Sequence, residues 1–243
     1  MPLPRAIFTV TTGRSGTMLL ANLFRSVPGV HAFHEPEPKF DPYLRDVQTR
    51  PGLAVEFMKR KLECMRGYGV YIETSHCFCE GFFLAAIEVG LEPDLILLSR
   101  NPREVSLSRL DRGGIPGRTP SGLQFLLSPR DSTALRPLTA EQFRQATDYQ
   151  LCYWHTLEIA ARQRAYAAFA VEMGHVAIHT TLDEISMLGG FSRLVNGLGL
   201  GAVNGDIYFR QNVSTNAWNY RKVHDIDFEF EEWQMEEWVA NKH

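Results

Sequence analysis

The sequence predicts an α/β fold with a mostly parallel central sheet covered by helices on both faces. Three observations predict it. Short runs of β-branched and aromatic residues alternate with longer helical patterns. Two of those runs end in loops that open directly into a helix, the connection typical of parallel sheets. The chain is 243 residues long and 44% apolar, enough for one large core. No internal repeat and no linker divides it, so residues 1–243 are expected to form a single domain.

Strands are expected near 6–11, 30–34, 69–74, 94–99 and 175–179. The first, Ile7-Phe8-Thr9-Val10, stops at Thr12-Gly13-Arg14-Ser15-Gly16-Thr17, and Met18 to Phe24 reads as a helix. The second ends at His31-Ala32-Phe33-His34-Glu35-Pro36-Glu37-Pro38, and the third at Glu73-Thr74-Ser75-His76. The fourth follows the turn at Glu92-Pro93 and ends at Arg100-Asn101-Pro102-Arg103, where Asn101 can cap a helix and Pro102 suits its first turn. From Arg112 to Gly122 the density of Gly, Pro and Ser precludes a long regular element, so a mobile loop is expected at about 112–137. It either folds over a ligand or is a surface excursion. A long amphipathic helix is read from Gln150 to about Met173, and Leu194 to Leu200 as the end of another. Asp225 to Glu237 is acidic, with Phe228, Phe230 and Trp233 interspersed and Trp238 just beyond. It reads as a terminal helix, aromatic side inward and carboxylates solvated.

The segment Thr12 to Met18 has the composition of an anion cradle. Its glycines let the backbone approach a phosphate, the first-turn N–H groups lack helical partners, Arg14 is a permanent cation, and Ser15 and Thr17 add hydroxyls. It is not a nucleoside-triphosphate loop, because the Gly-Lys-Ser/Thr ending is absent: Gly16 is followed by Thr17 and Met18. Arg100, at the end of a strand, can reach the crevice at the carboxyl edge of the sheet. Ser108 lies about two helical turns further on, within reach of the same ligand.

With these two segments the chain resembles the sulfotransferases that use 3′-phosphoadenosine 5′-phosphosulfate (PAPS). Thr12-Gly13-Arg14-Ser15-Gly16-Thr17 is similar to their 5′-phosphosulfate loop. Arg100 and Ser108, with Asn101-Pro102-Arg103 between them, are similar to their 3′-phosphate motif. The likeness extends over most of residues 5 to 200, including the acidic Leu182-Asp183-Glu184 after a strand. It implies a P-loop-like sulfotransferase architecture and a PAPS site formed by Thr12, Gly13, Arg14, Ser15, Gly16, Thr17, Met18, Arg100 and Ser108, without a metal. Arg14 takes the leaving-group role in which many relatives have lysine. Arg210, or Tyr220-Arg221-Lys222, stands where the family closes a C-terminal loop over the 3′-phosphate.

Sulfuryl transfer also needs a group that takes a proton from the acceptor. Phe33-His34-Glu35-Pro36 is similar to the segment in which carbohydrate sulfotransferases place a glutamate base, which makes Glu35 the first candidate and His34 the second. His76 is the rival. Relatives acting on phenols and steroids carry a histidine after the third strand, but within a Lys-Thr-His segment that this chain lacks. Two other classes compete with a sulfotransferase: a divergent nucleotide kinase, which would need a loop lysine and a magnesium-holding carboxylate, and a catalytically silent nucleotide-binding protein, which would be expected to lose Arg14 or the base candidates.

Net charge of −3 argues against bulk nucleic-acid binding, and no run is apolar enough for a membrane span. The first core strand begins near residue 6, where Golgi members of the family carry an anchor, so a cytoplasmic enzyme is expected and the sequon Asn212-Val213-Ser214 carries no weight. Cys64, Cys77, Cys79 and Cys152 read as ordinary thiols rather than a disulfide framework, and Cys77, Cys79 and His76 lack zinc-knuckle spacing. The expected acceptor is a hydroxyl or amine of a soluble small molecule, such as a natural product. The acidic tail suggests a cationic one.

Overall fold

The computed structural model describes residues 3–211 and 224–240. Its centre is a five-stranded sheet in the order β2-β3-β1-β4-β5, every neighbouring pair parallel. The chain enters at β1 (Arg5–Val10) and passes through α1 (Thr17–Leu23) and a 3₁₀ turn to the edge strand β2 (Val30–His34). It returns through α2 (Leu44–Thr49) and α3 (Gly52–Met65) to β3 (Val70–Thr74), between β2 and β1. A 3₁₀ turn (Cys77–Glu80) and α4 (Phe83–Glu88) lead to β4 (Asp94–Ser99) on the other side of β1. Then come α5 (Pro102–Asp111), α6 (Pro120–Phe125), α7 (Ala140–Gln145), α8 (Asp148–Glu172) and β5 (Ala177–Thr181). The shorter helices α9 (Leu182–Ile185), α10 (Leu188–Gly197) and α11 (Gly205–Gln211) follow, and α12 (Phe228–Ala240) ends the described chain. Strand order reverses at β1, so the crevice at its carboxyl end is where such a sheet holds a ligand.

Alternation along the strands sorts the core into two halves. Ala6, Phe8 and Val10 of β1 pack with α3, α4 and an aromatic cluster around Phe40, Phe57, Phe78 and Phe82. Ile7, Ile72, Ile96 and Leu98 point the other way, against α1, α10 and Tyr208 of α11.

Four of the five strands lie within a residue of where the sequence puts them. β5 starts two residues later, at Ala177, because the preceding residues finish α8. His175 donates its N–H to the Ala170 carbonyl at 2.9 Å after Gly174 turns the chain at φ 81°. α8 itself begins at a capping box formed by Thr147 and Gln150.

Residues 112–137 hold one short helix, α6, whose first turn is capped by the Thr119 side chain. Partners distant in sequence tie the segment down. Arg45 of α2 donates to the Leu123 carbonyl at 3.0 Å and the Leu126 carbonyl at 2.8 Å and pairs with Asp131 at 2.5 Å. The Leu127 N–H donates to buried Glu80 at 2.7 Å.

The acidic terminal helix follows the expected orientation only in part. Phe230 and Trp233 are 50% and 58% exposed, whereas Phe228 and Trp238 are partly buried beside buried Met235. Glu232 pairs with Arg103 at 2.8 Å and accepts from Tyr149, and Glu236 accepts from the Tyr153 hydroxyl at 2.7 Å. The cause lies in the surface beneath, where Arg103 on α5 and the hydroxyls of Tyr149 and Tyr153 on α8 offer the carboxylates donors. Among the described residues no helix is long and apolar enough to cross a membrane, and no cluster of His, Cys, Asp and Glu is arranged to hold a metal. Cys77, Cys79 and Cys152 are buried thiols and Cys64 an exposed one.

Candidate active site

The loop after β1 is built on three residues of unusual backbone. Gly13, Arg14 and Gly16 all have positive φ (70°, 55° and 94°), so Thr12 to Thr17 curls into a tight hook at the carboxyl end of the central strand. Buried Ser15 locks the hook from inside, its hydroxyl 2.5 Å from that of Thr11. Thr74 of β3 donates to the Thr17 carbonyl at 2.9 Å and fixes the start of α1. Met18, in the first turn of α1, is 45% exposed.

The second motif meets the first. Arg14 Nε donates to the hydroxyl of buried Ser108 at 3.3 Å, and Arg100 donates to the Arg14 carbonyl at 3.1 Å while pairing with Glu104 at 2.7 Å. Arg14, Arg100 and Ser108 are thus one cluster. Two arginines without a motif of their own join it. Arg109, buried on α5, donates to the Thr12 carbonyl, and its Nε is buried with no partner. Arg112 lies close enough for its charge to act on Arg14. Burial, followed by repulsion from Arg112, Arg109 and Arg100, lowers the Arg14 guanidinium to about 10, still cationic at neutral pH. Such a concentration of positive charge is relieved by an anion. Arg109 and Arg112 are legible only as the arginines that follow Ser108 along one helix.

Glu35 and His76 face this loop. Glu35 follows β2 in a left-handed conformation (φ 48°), and its Oε1 lies 3.3 Å from His76 Nδ1. The other ring nitrogen of His76 is 3.0 Å from the Phe125 carbonyl. Both nitrogens therefore face acceptors, which an imidazolium satisfies with two N–H donors. The electrostatics agree. Burial, the largest influence on His76, opposes the charge, but Cys77, Glu35 and Glu80 outweigh it and hold the ring well above its ordinary range. The hydrogen bond from His76 in turn holds the Glu35 carboxyl below its usual range, against the opposing effect of burial. His34 stands beside the pair on the cavity that all three line, its Nδ1 2.8 Å from the Thr74 carbonyl and its Nε2 4.0 Å from Glu35.

Arg14 of the arginine cluster and the Glu35–His76 pair open onto one cavity of about 510 Å³, whose lining does not include Arg100 or Ser108. Gly13, Arg14 and Thr17 form its wall on the hook side, His34, Glu35 and His76 the facing wall, and Arg109 and Arg112 one side. Gly114, Ser121, Phe125 and Leu126 bring the 112–137 segment against it. Glu35 is the only carboxylate in the lining among the described residues. None of the described tail carboxylates lines this cavity, and those at 231, 232 and 236 contact Thr147, Arg103, Tyr149 and Tyr153. Arg210 is exposed on α11, donates to the Asp206 carbonyl in its own helix and does not line the cavity. Tyr220-Arg221-Lys222 and the sequon at Asn212 lie outside the described residues.

No family model and no curated protein matches the sequence. Solved structures do match it. A sulfotransferase domain from the curacin biosynthetic pathway superposes with a TM-score of 0.58 at 11% identity, covering 89% of this chain and 82% of its own. The sulfotransferase domain of the Synechococcus PCC 7002 olefin synthase superposes with a TM-score of 0.53 at 14% identity, covering 100% and 96%. The chain has the sulfotransferase fold. Its α/β architecture and P-loop-like sheet are those the two motifs imply. At this identity the likeness concerns the fold alone.

Proposed function

We propose that the chain is a PAPS-dependent sulfotransferase that sulfates a hydroxyl or amine of a soluble small molecule, a natural product being the class we favour, in a cytoplasmic setting. One observation carries the reading: the phosphate-loop cation Arg14 touches Ser108 of the second motif while sharing a single cavity with the Glu35–His76 pair. The residues present suit PAPS. The hook and Arg14 would hold the 5′-phosphosulfate, and Arg100 and Ser108 the ribose 3′-phosphate, with Arg100 exchanging its half-exposed Glu104 partner for the ligand. Buried Arg109, with an unpartnered Nε, supplies further positive charge beneath the loop. PAPS brings an activated sulfuryl group on a phosphate leaving group.

In this reading Glu35 accepts the proton of the attacking hydroxyl or amine, and the His76 imidazolium orients it and buffers its charge. Arg14 stabilises charge on the leaving oxygen without giving up a proton. A divergent nucleotide kinase fits less well, because no lysine stands in the hook. The test incubates the enzyme with radiolabelled PAPS and small-molecule extracts, followed by mass analysis of labelled products. Transfer of SO₃ to a low-mass acceptor is expected. Labelled protein or polysaccharide as the product would refute the acceptor class, and magnesium-dependent phosphoryl transfer from ATP would replace the reading with a kinase.

A further inference from the structure

Beneath the Glu35 segment lies a lysine that the proposed chemistry leaves unexplained. Lys61, on α3, is wholly buried, and so is its partner Glu73 on β3, with Nζ and Oε1 2.8 Å apart. The ammonium also donates to the carbonyls of Pro36 at 3.1 Å and Pro38 at 2.9 Å. The face of Phe40 lies 4.8 Å away. Glu73 accepts a further hydrogen bond from the Tyr71 hydroxyl at 2.6 Å and sits opposite Phe33 in the β2–β3 ladder.

Stability is a poor explanation for such a pair. Desolvating two charges costs several kcal/mol per ion, and replacing a buried ion pair with apolar residues is often neutral or stabilising. Burial, the largest effect, lifts the Glu73 carboxyl to about 7 even with Lys61 and Tyr71 holding it down. What the pair does that an apolar pair would not is grip two backbone carbonyls, on the first and third residues after Glu35. Glu35 is held in a left-handed conformation that non-glycine residues rarely adopt, and such a conformation persists only where its surroundings over-determine it.

We propose that Lys61 is a positioning residue: by fixing the Pro36 and Pro38 carbonyls it aims the Glu35 carboxylate at His76 and the cavity. The proposal rests on the reading of Glu35 and His76 as the proton-handling pair. Lys61 touches neither reactant, so the readout must be one that a merely structural lysine would not move.

Two quantities serve: the His76 ring titration, followed by ¹⁵N NMR, and turnover with PAPS on the acceptor found in the label-transfer screen. The key variant is the double substitution Lys61→Met with Glu73→Gln, which leaves no unpaired buried charge. In it the His76 titration should fall to that of Glu35→Gln, and kcat should drop by about tenfold or more. Affinity for adenosine 3′,5′-bisphosphate should stay within about twofold, because the phosphate loop is untouched. Glu73→Gln alone keeps the lysine on both carbonyls but removes its counter-ion, so it should melt earlier than wild type while keeping the wild-type His76 titration and kcat. A folded double variant with wild-type His76 titration and kcat would overturn the proposal. Should that variant not fold, Lys61→Gln, which can still hold one carbonyl, takes its place: an intermediate His76 titration supports positioning and an unchanged one refutes it. If Glu35→Gln keeps full turnover, the active-site reading fails, while the NMR titration still reports whether Lys61 sets the Glu35–His76 contact.

Discussion

Glu35 and His76 come from different strand ends yet form one hydrogen-bonded pair, so their protons titrate as a unit. The pH profile then separates the two candidate bases. If Glu35 is the base beside an imidazolium, the active form holds one proton, and kcat/KM should be bell-shaped, rising through the lowered Glu35 value and falling through the raised His76 value. If neutral His76 is the base, activity should instead rise only as pH passes that raised value. A steady rise with no acid-side plateau would therefore assign the base to His76. Glu35→Gln should lower turnover by about two to four orders of magnitude, the usual scale of general-base loss, with bisphosphate affinity nearly unchanged. Stability carries the same signature. The lowered Glu35 contributes fully above its ordinary 4.5 and loses that contribution as pH falls through its folded value. The raised His76 contributes fully below its ordinary 6.5 and loses it as pH rises through its folded value. The Tm difference between wild type and Glu35→Gln should therefore be greatest between pH 4.5 and 6.5 and shrink on both sides. A difference constant with pH would show that the pair is not charged. Each partner was legible in the sequence from its own segment. Their contact was not, because it depends on β2 and β3 lying side by side, and Arg109 and Arg112 stand in no motif that sets them apart from surface arginines.

At the scale of elements, the segment over the cavity shows what composition conceals. Its Gly, Pro and Ser content does exclude a long helix, yet the partners that hold it, Arg45, Glu80 and Glu158, sit on other elements and leave no mark in its own sequence. Arg136 and Leu135 donate their N–H groups to buried Glu158 at 2.8 and 3.0 Å, and Phe125 places its carbonyl on His76. The inward turn of Glu232 on α12 was hidden for the same reason, since its donors, Arg103 and Tyr149, belong to α5 and α8. The tightest point of the segment is Gly122. A Cβ there would stand 1.8 Å from the Ile115 carbonyl oxygen, a backbone atom that cannot rotate away. Gly122→Ala should therefore shift α6 and cost roughly 1–3 kcal/mol, as overpacking typically does. Denaturant melts measure the loss, and limited proteolysis should show faster cleavage within 112–137. Because α6 carries the Phe125 carbonyl, the His76 ring should also titrate differently in this variant. Wild-type stability and proteolysis would mean that the segment is looser than its contacts imply.

Across the whole molecule, strand positions follow from local chemistry but strand order does not. β-branched runs mark the five strands, and the capping and turn residues mark most of their ends. The order β2-β3-β1-β4-β5 is set by which crossovers can close in a right-handed sense and by the two cores they bury. That order brings the loop after β1, the end of β4 and the ends of β2 and β3 to one edge, so residues far apart in sequence share one ligand crevice. A ligand that spans the hook and the Arg100–Ser108 cluster should consequently tie β1 to β4 and stabilise the fold as a whole. Adenosine 3′,5′-bisphosphate carries a phosphate for each subsite, whereas AMP carries only the first. Near a hundredfold excess over Kd the bisphosphate should add about 2.7 kcal/mol of apparent stability, with a far smaller gain from AMP at the same concentration. Arg100→Ala and Ser108→Ala should each erase most of the difference between the two nucleotides, while Arg14→Ala should weaken both. Equal thermal shifts from AMP and the bisphosphate in the wild-type protein would remove the 3′-phosphate role from Arg100 and Ser108, even though the fold would stand.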